Sequence, residues 1–136
     1  MSKTGKNTLL VVDDTPENID VLRGILGADY TIKIANSGQL ALKITAAQHP
    51  DLILLDVMMP GMDGHEVCRQ LKANPLTRAI PVIFITARAE TGDEVQGLAL
   101  GAADYLTKPV VPAIVKARVQ TQLALRQARR ELEETN

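Results

Sequence analysis

The chain has no tryptophan, one phenylalanine and two tyrosines in 136 residues. Aromatic content of 2% is too low for a base-stacking platform or an aromatic belt at a membrane interface. The single cysteine, Cys68, cannot close an internal disulfide, so packing must hold the fold. No apolar run approaches the roughly 20 residues of a membrane helix, and the opening MSKTGKNT has no secretory apolar stretch. The expectation is a cytoplasmic chain with no membrane partner. Fifteen Lys and Arg against sixteen Asp and Glu give a net charge of −1, so no overall basic field exists to hold nucleic acid directly. Neither G-x-x-x-x-G-K-S/T nor G-x-G-x-x-G occurs, which removes the usual nucleotide-phosphate loops.

What is present is 46% hydrophobic residues, enough for one core in a chain of this length. Leu9–Val12, Leu52–Leu55, Val82–Ile85 and the weaker Tyr105-Leu106 are short continuous apolar runs, as expected for parallel strands covered on both faces. The run 30–35, Y-T-I-K-I-A, alternates and reads as an edge strand. Helical spacing fills the gaps: Ile19, Leu22, Ile25 and Leu26; Leu40, Ala41, Ile44 and Ala47; Val67 and Leu71; Val95, Leu98 and Ala99. Thr15-Pro16 is an N-cap candidate followed by proline, and Gly27 and Gly101 stand where C-terminal caps belong. Five β-α repeats with right-handed crossovers predict an α/β fold, a three-layer, doubly wound sandwich around a parallel sheet.

The chemistry stands where the runs end. Asp13-Asp14 follow the first, Asp56 the Leu52 run, Thr86 the Val82 run, and Lys108 the Tyr105-Leu106-Thr107 segment. In an open parallel sheet such residues converge on a crevice at the carboxyl ends of the strands. Three gathered carboxylates must either protonate at raised pKa or hold a divalent cation. Lys108 and Thr86 beside them favour the cation, Mg²⁺, and a phosphoryl site, with one carboxylate as nucleophile and Lys108 neutralising phosphoryl oxygens.

With V-V-D-D-T-P-E-N, L-I-L-L-D-V-M-M-P-G-M-D-G, V-I-F-I-T-A and G-A-A-D-Y-L-T-K-P all in place, the chain resembles the receiver domain of a two-component response regulator over about residues 8–125. The resemblance implies a five-stranded sheet in flavodoxin-like order 2-1-3-4-5. It implies Asp56 as acceptor of phosphate from a sensor histidine kinase or phosphotransfer protein. Asp14 and Asp56 would ligate Mg²⁺ directly with the Met58 backbone carbonyl, and Asp13 through water. Lys108 and Thr86 would contact the phosphoryl group, Tyr105 would be the switch aromatic, and Lys108-Pro109 a cis peptide. Met58 and Arg88 would tune the lifetime of the phosphorylated state, slowing hydrolysis by bulk and charge. The face formed by the fourth helix, fifth strand and fifth helix would change on phosphorylation, commonly docking a partner or a second copy.

The segments outside this core are a tail, 1–7, and an extension of the last helix, 126–136. Ile114, Arg118, Thr121, Leu125, Ala128 and Leu132 form a weak heptad seam. Either this helix is a coiled-coil linker, with a homodimer through it and an output domain on a longer chain, or it packs to about Leu125 and frays as a solvated tail. The resemblance to receivers with such linkers points to outputs that make or degrade a cyclic dinucleotide, or to a histidine kinase. His49, His65 and Cys68 are read as structural or surface residues, and Arg126, Arg129 and Arg130 as a solvated face with i,i+4 pairs to the following glutamates. A non-enzymatic phosphoacceptor is therefore expected. The rivals are an aspartate-nucleophile phosphohydrolase, which normally separates its two aspartates by one residue, and a constitutive interaction module.

Overall fold

The computed structural model describes residues 6–87 and 99–135. The apolar runs form strands β1 (Thr8–Val12), β2 (Thr31–Ala35), β3 (Leu52–Asp56), β4 (Val82–Thr86) and β5 (Asp104–Thr107). Helices α1 (Pro16–Leu26), α2 (Gly38–Ala47), α3 (Gly64–Ala73) and a long C-terminal helix (Pro112–Thr135) surround them. The sheet order is β2-β1-β3-β4-β5 and every pairing is parallel, as expected. The predicted helix around Val95 and Leu98, and Arg88, lie outside the described residues.

Alternate residues of each central strand point to opposite faces, which makes the three layers. Leu10, Val12, Ile53, Leu55 and Phe84 pack with Val67 and Leu71 of α3. Leu9, Val11, Leu54, Ile83 and Ile85 pack with Leu22 of α1 and with Val115 and Val119 of the C-terminal helix. β3 and β4 are buried throughout, which is why their sequences show no polar alternation. β2 is indeed at the edge, but its middle residues are uniformly half-buried rather than alternating.

Thr15 and Gly27 cap α1 where the sequence places them, with local details that the sequence does not show. Thr15 is the N-cap of α1 without a side-chain cap; instead Asp13 Oδ1 accepts the Thr15 N–H at 2.9 Å. Gly27 has right-handed backbone and is needed because a Cβ there would lie 2.6 Å from the Arg23 carbonyl oxygen, whereas Gly101 has φ +100°. The last helix runs on to Thr135, as its lack of a stop signal implied, rather than fraying after Leu125, while Arg126 is held rather than solvated. Its Nη1 donates to the Asp51 carbonyl at 2.8 Å, while Asp51 Oδ2 accepts the Thr8 N–H at 2.7 Å. Arg126 therefore ties the helix to the amino-terminal edge of the sheet, and the turns beyond Arg130 extend past it.

One contact links α3 directly to the end of β3. Gly64, the first residue of α3 after the N-cap Asp63, donates its N–H to the Val57 carbonyl at 3.0 Å. A Cβ at Gly64 would stand 2.3 Å from the Asp56 carbonyl oxygen and 2.9 Å from Val57 Cα, both backbone atoms that cannot swing aside. Gly64→Ala is expected to cost about 3 kcal/mol, the upper end for overpacking, because helix and strand must separate. Urea denaturation checks this; a midpoint equal to wild type would show that the two elements part freely.

Candidate functional site

The strand ends are in register, so their polar residues share one edge. Val12 pairs with Leu55, Asp56 with Ile85, and Thr86 with Thr107. Sheet order reverses at β1, with β2 on one side and β3 on the other, and the crevice opens there. The Asp13 N–H donates to the Ala35 carbonyl at 3.1 Å, holding the start of the β1–α1 loop over that point.

Asp13 and Asp56 are 1% and 3% exposed, while Asp14 faces solvent. One carboxylate oxygen from each lies within 4.8 Å of the others. Asp56 Oδ1 accepts from the Met58 N–H at 3.3 Å and from Lys108 Nζ at 3.4 Å. Lys108 Nζ is 3.9 Å from Asp13 Oδ2, an ion pair too long for a hydrogen bond, and that buried oxygen has no hydrogen-bond partner among the described residues. The Lys108 N–H donates to the Thr86 carbonyl at 2.8 Å, and the Lys108–Pro109 peptide bond is cis. Thr86 is buried at the end of β4.

Three carboxylates face one ammonium, so the site carries excess negative charge. Burial, then the neighbouring Asp13 charge, raise the Asp56 pKa to about 6; Lys108 and the Met58 N–H pull it down without overcoming them. An unpartnered buried carboxylate oxygen in an all-oxygen cluster, with no histidine or thiol in it, fits a hard divalent cation such as Mg²⁺.

Beside the carboxylates a cavity of about 410 Å³ is lined by Asp13, Asn18, Val21, Leu22, Lys108 and Pro109. Asn18 and Val21 went unremarked in the sequence because α1 reads there as an ordinary amphipathic helix; only the position of Asn18, four residues after Asp14, hints that it faces the crevice. Met58 is 71% exposed over the site and Tyr105 is half-buried in β5. His49 is exposed, and His65 stands edge-on to Phe84 with centroids 5.2 Å apart. Cys68 is buried, and desolvation raises its thiol pKa.

The profile of the response regulator receiver domain matches residues 9–120. The chain belongs to this family. It is 51% identical over 114 residues to the response regulator PleD of Caulobacter vibrioides, covering 83% of this chain and 25% of PleD. It is 44% identical over 116 residues to the alkaline phosphatase synthesis transcriptional regulatory protein PhoP of Bacillus subtilis, covering 85% of this chain and 48% of PhoP. The chain thus spans about a quarter to a half of these relatives. Among solved structures it is similar to the receiver domain of a sensor histidine kinase from Pseudomonas aeruginosa, which has a magnesium ion coordinated in its active-site cleft. That match has a TM-score of 0.82 and 30% identity, over 88% of this chain and 99% of the other. The chain is a receiver, a signalling domain whose phosphoacceptor role follows from the family, and its acidic cluster fits the Mg²⁺ site.

The raised Asp56 pKa has a consequence for stability. The ordinary carboxylate value is 3.8, so a folded value of about 6 means that ionising Asp56 opposes folding. Its contribution is intact below about pH 4 and is lost as pH rises through 6, roughly 3 kcal/mol for two units. In metal-free buffer Asp56→Asn is expected to be more stable than wild type at pH 7 by up to that amount, with the advantage fading toward pH 4. Thermal melts across pH 4–8 in chelator read it directly; an advantage independent of pH would mean that ionisation is not its source.

Proposed function

We propose that Asp56 is the residue that takes a phosphoryl group from the phosphohistidine of a sensor kinase or phosphotransfer protein. The observation carrying this reading is the buried Asp56 carboxylate at the end of β3, clustered with Asp13 and Asp14 and 3.4 Å from Lys108 Nζ. An Asp56 carboxylate oxygen attacks phosphorus, the new O–P bond makes an acyl phosphate, and the N–P bond to the donor imidazole breaks. The imidazole leaves with the electron pair and recovers a proton from solvent. The cavity between α1 and Lys108-Pro109 is the approach for the donor side chain, with exposed Val21 as its apolar wall.

Asp14, Asp56 and the Met58 carbonyl would hold Mg²⁺ directly, and Asp13 through water. The ion supplies charge neutralisation for the phosphoryl oxygens. Lys108 moves its ion pairing from Asp56 to the phosphoryl group, so its charge is used in the product rather than consumed in the resting state. Thr86 donates its hydroxyl to a phosphoryl oxygen, shifting the loop after β4, and Tyr105 responds as the switch aromatic. Met58 and Arg88 slow hydrolytic water and set the lifetime of the phosphorylated state. The chemistry of the chain ends with its own phosphorylation and dephosphorylation, and in the cytoplasm an attached output domain carries the signal onward. No described helix is long and apolar enough to cross a membrane.

Intact mass after incubation with acetyl phosphate tests the acceptor. One phosphoryl adduct is expected with Mg²⁺, none in chelator and none for Asp56→Asn. Folded protein without an adduct in Mg²⁺ would favour the constitutive interaction module, or a receiver that takes phosphate only from its own kinase.

The C-terminal helix supports a homodimer in this reading. Ile114, Leu125 and Leu132 are 45%, 48% and 66% exposed along one heptad seam, an apolar stripe that the rest of the described domain does not cover. Phosphorylation is expected to raise the molar mass measured by light scattering toward twice the monomer value, and Leu125→Glu with Leu132→Glu to abolish the rise. A monomer at all concentrations, phosphorylated or not, removes the dimer and leaves the phosphoacceptor reading intact.

A further inference from the structure

A second charged cleft lies at the opposite, amino-terminal edge of the sheet. The strands between it and the acidic site are four to five residues long, roughly 15 Å at about 3.3 Å per residue. Its cavity of about 150 Å³ is lined by Lys72, Arg78, Gln122, Arg126, Arg129 and backbone around Gly101. Lys72 comes from α3, Arg78 from the loop after it, and the other two arginines from successive turns of the C-terminal helix. Among the described residues no carboxylate lines the cleft, although the chain as a whole carries a net charge of −1.

The cations are arranged and only partly used. Lys72 Nζ donates to the Arg78 and Ile80 carbonyls at 2.9 Å each, which fixes the ammonium at the cleft with one proton to spare. Gly101, at φ +100°, lets the loop before β5 pass over the lysine stem; a Cβ there would already be 3.2 Å from Lys72 Cγ. Arg126 spends one nitrogen on Asp51 and its carbonyl. Arg78 and Arg129 form no ion pair with any described carboxylate, so the i,i+4 pairing expected for Arg129 is not made. Desolvation is the main cause that lowers the Lys72 pKa, with Cys68 raising it and Arg129 lowering it further, and desolvation is also the main cause that lowers the Arg126 pKa.

We propose that this cleft binds a phosphate-class oxyanion, with Arg78 and Arg129 closing on it from two sides and Lys72 and Arg126 at its base. Multiple charge-assisted donors converging on a small space are what a tetrahedral oxyanion requires, and arginine forks suit its oxygens. The volume holds one or two phosphoryl groups and falls well short of the roughly 300 Å³ at which drug-sized ligand sites begin, so any larger part of a phosphate ester would remain outside. The site would tie the C-terminal helix to the α3 loop, on the side of the domain away from Asp56.

The test titrates the full chain with inorganic pyrophosphate in metal-free buffer at fixed ionic strength, reading calorimetric heat and melting temperature. Saturable binding that raises the melting temperature of each protein above its own ligand-free value is expected, with the same affinity in Asp56→Asn and about tenfold or more weaker binding in Arg78→Gln/Arg129→Gln. Both arginines are exposed, so that variant should fold; Arg129→Glu alone provides a second reading, with binding lost to a similar degree. Binding that the double variant and Arg129→Glu both retain, or a response that sodium chloride of equal ionic strength reproduces, overturns the proposal. A nucleoside diphosphate in place of pyrophosphate separates the sources: equal affinity supports free phosphate or pyrophosphate, and tighter binding supports a phosphate ester.

Discussion

An isolated carboxylate taken out of water is costly, and two of them taken out together with one ammonium between them leave a charge that the fold itself cannot neutralise. Asp13 and Asp56 are in that position. Lys108 Nζ is 3.4 Å from one and 3.9 Å from the other, which is too little cation for both and too distant to satisfy Asp13 Oδ2. The fold imposes this arrangement through its sheet. Because the strands are parallel and end in register, whatever follows β1, β3, β4 and β5 must share one rim, and the order reversal at β1 leaves that rim open. The acidic centre is a point of stored repulsion that a divalent cation would relieve, while a phosphoryl group would add negative charge and acceptor oxygens to it. This makes the apo receiver responsive rather than merely folded.

Residues whose environment is fixed by strand order and period were legible in the sequence. The runs at Leu52 and Val82 lack polar alternation because both faces are covered, and Asp56 and Thr86 could be placed at a shared edge once the runs were read as parallel strands. What could not be read were contacts made by elements distant in sequence. Nothing in the helical spacing of α3 announces that Gly64 must lack a side chain; the reason is the Asp56 carbonyl lying against it. Asn18 and Val21 likewise acquire their place only when Lys108 and Pro109 arrive from the far end of the chain to close the cavity.

The C-terminal helix shows the same limit in its charges. As sequence, Arg126, Arg129 and Arg130 followed by glutamates look like a solvated ladder. In the fold, Arg126 turns in to the Asp51 carbonyl, 75 residues away in sequence, and Gln127 donates to Glu131. One helix therefore presents different chemistry at different heights: Val115 and Val119 to the sheet, an apolar stripe to solvent, and cations toward α3.

That distribution bears on how an event at Asp56 could be felt elsewhere. The helix begins a few residues after Lys108 and is fastened at its middle by Arg126 to the loop before β3, so it spans the domain from the acidic rim to the opposite edge. Any shift of Lys108 toward a phosphoryl group acts on the start of a rigid element whose far turns project beyond the domain. Coupling through such an element needs two arrangements of one packed helix rather than a chain of small adjustments. Were the helix to have two such arrangements, the Asp51–Arg126 contact at its middle would be the point about which the two ends differ.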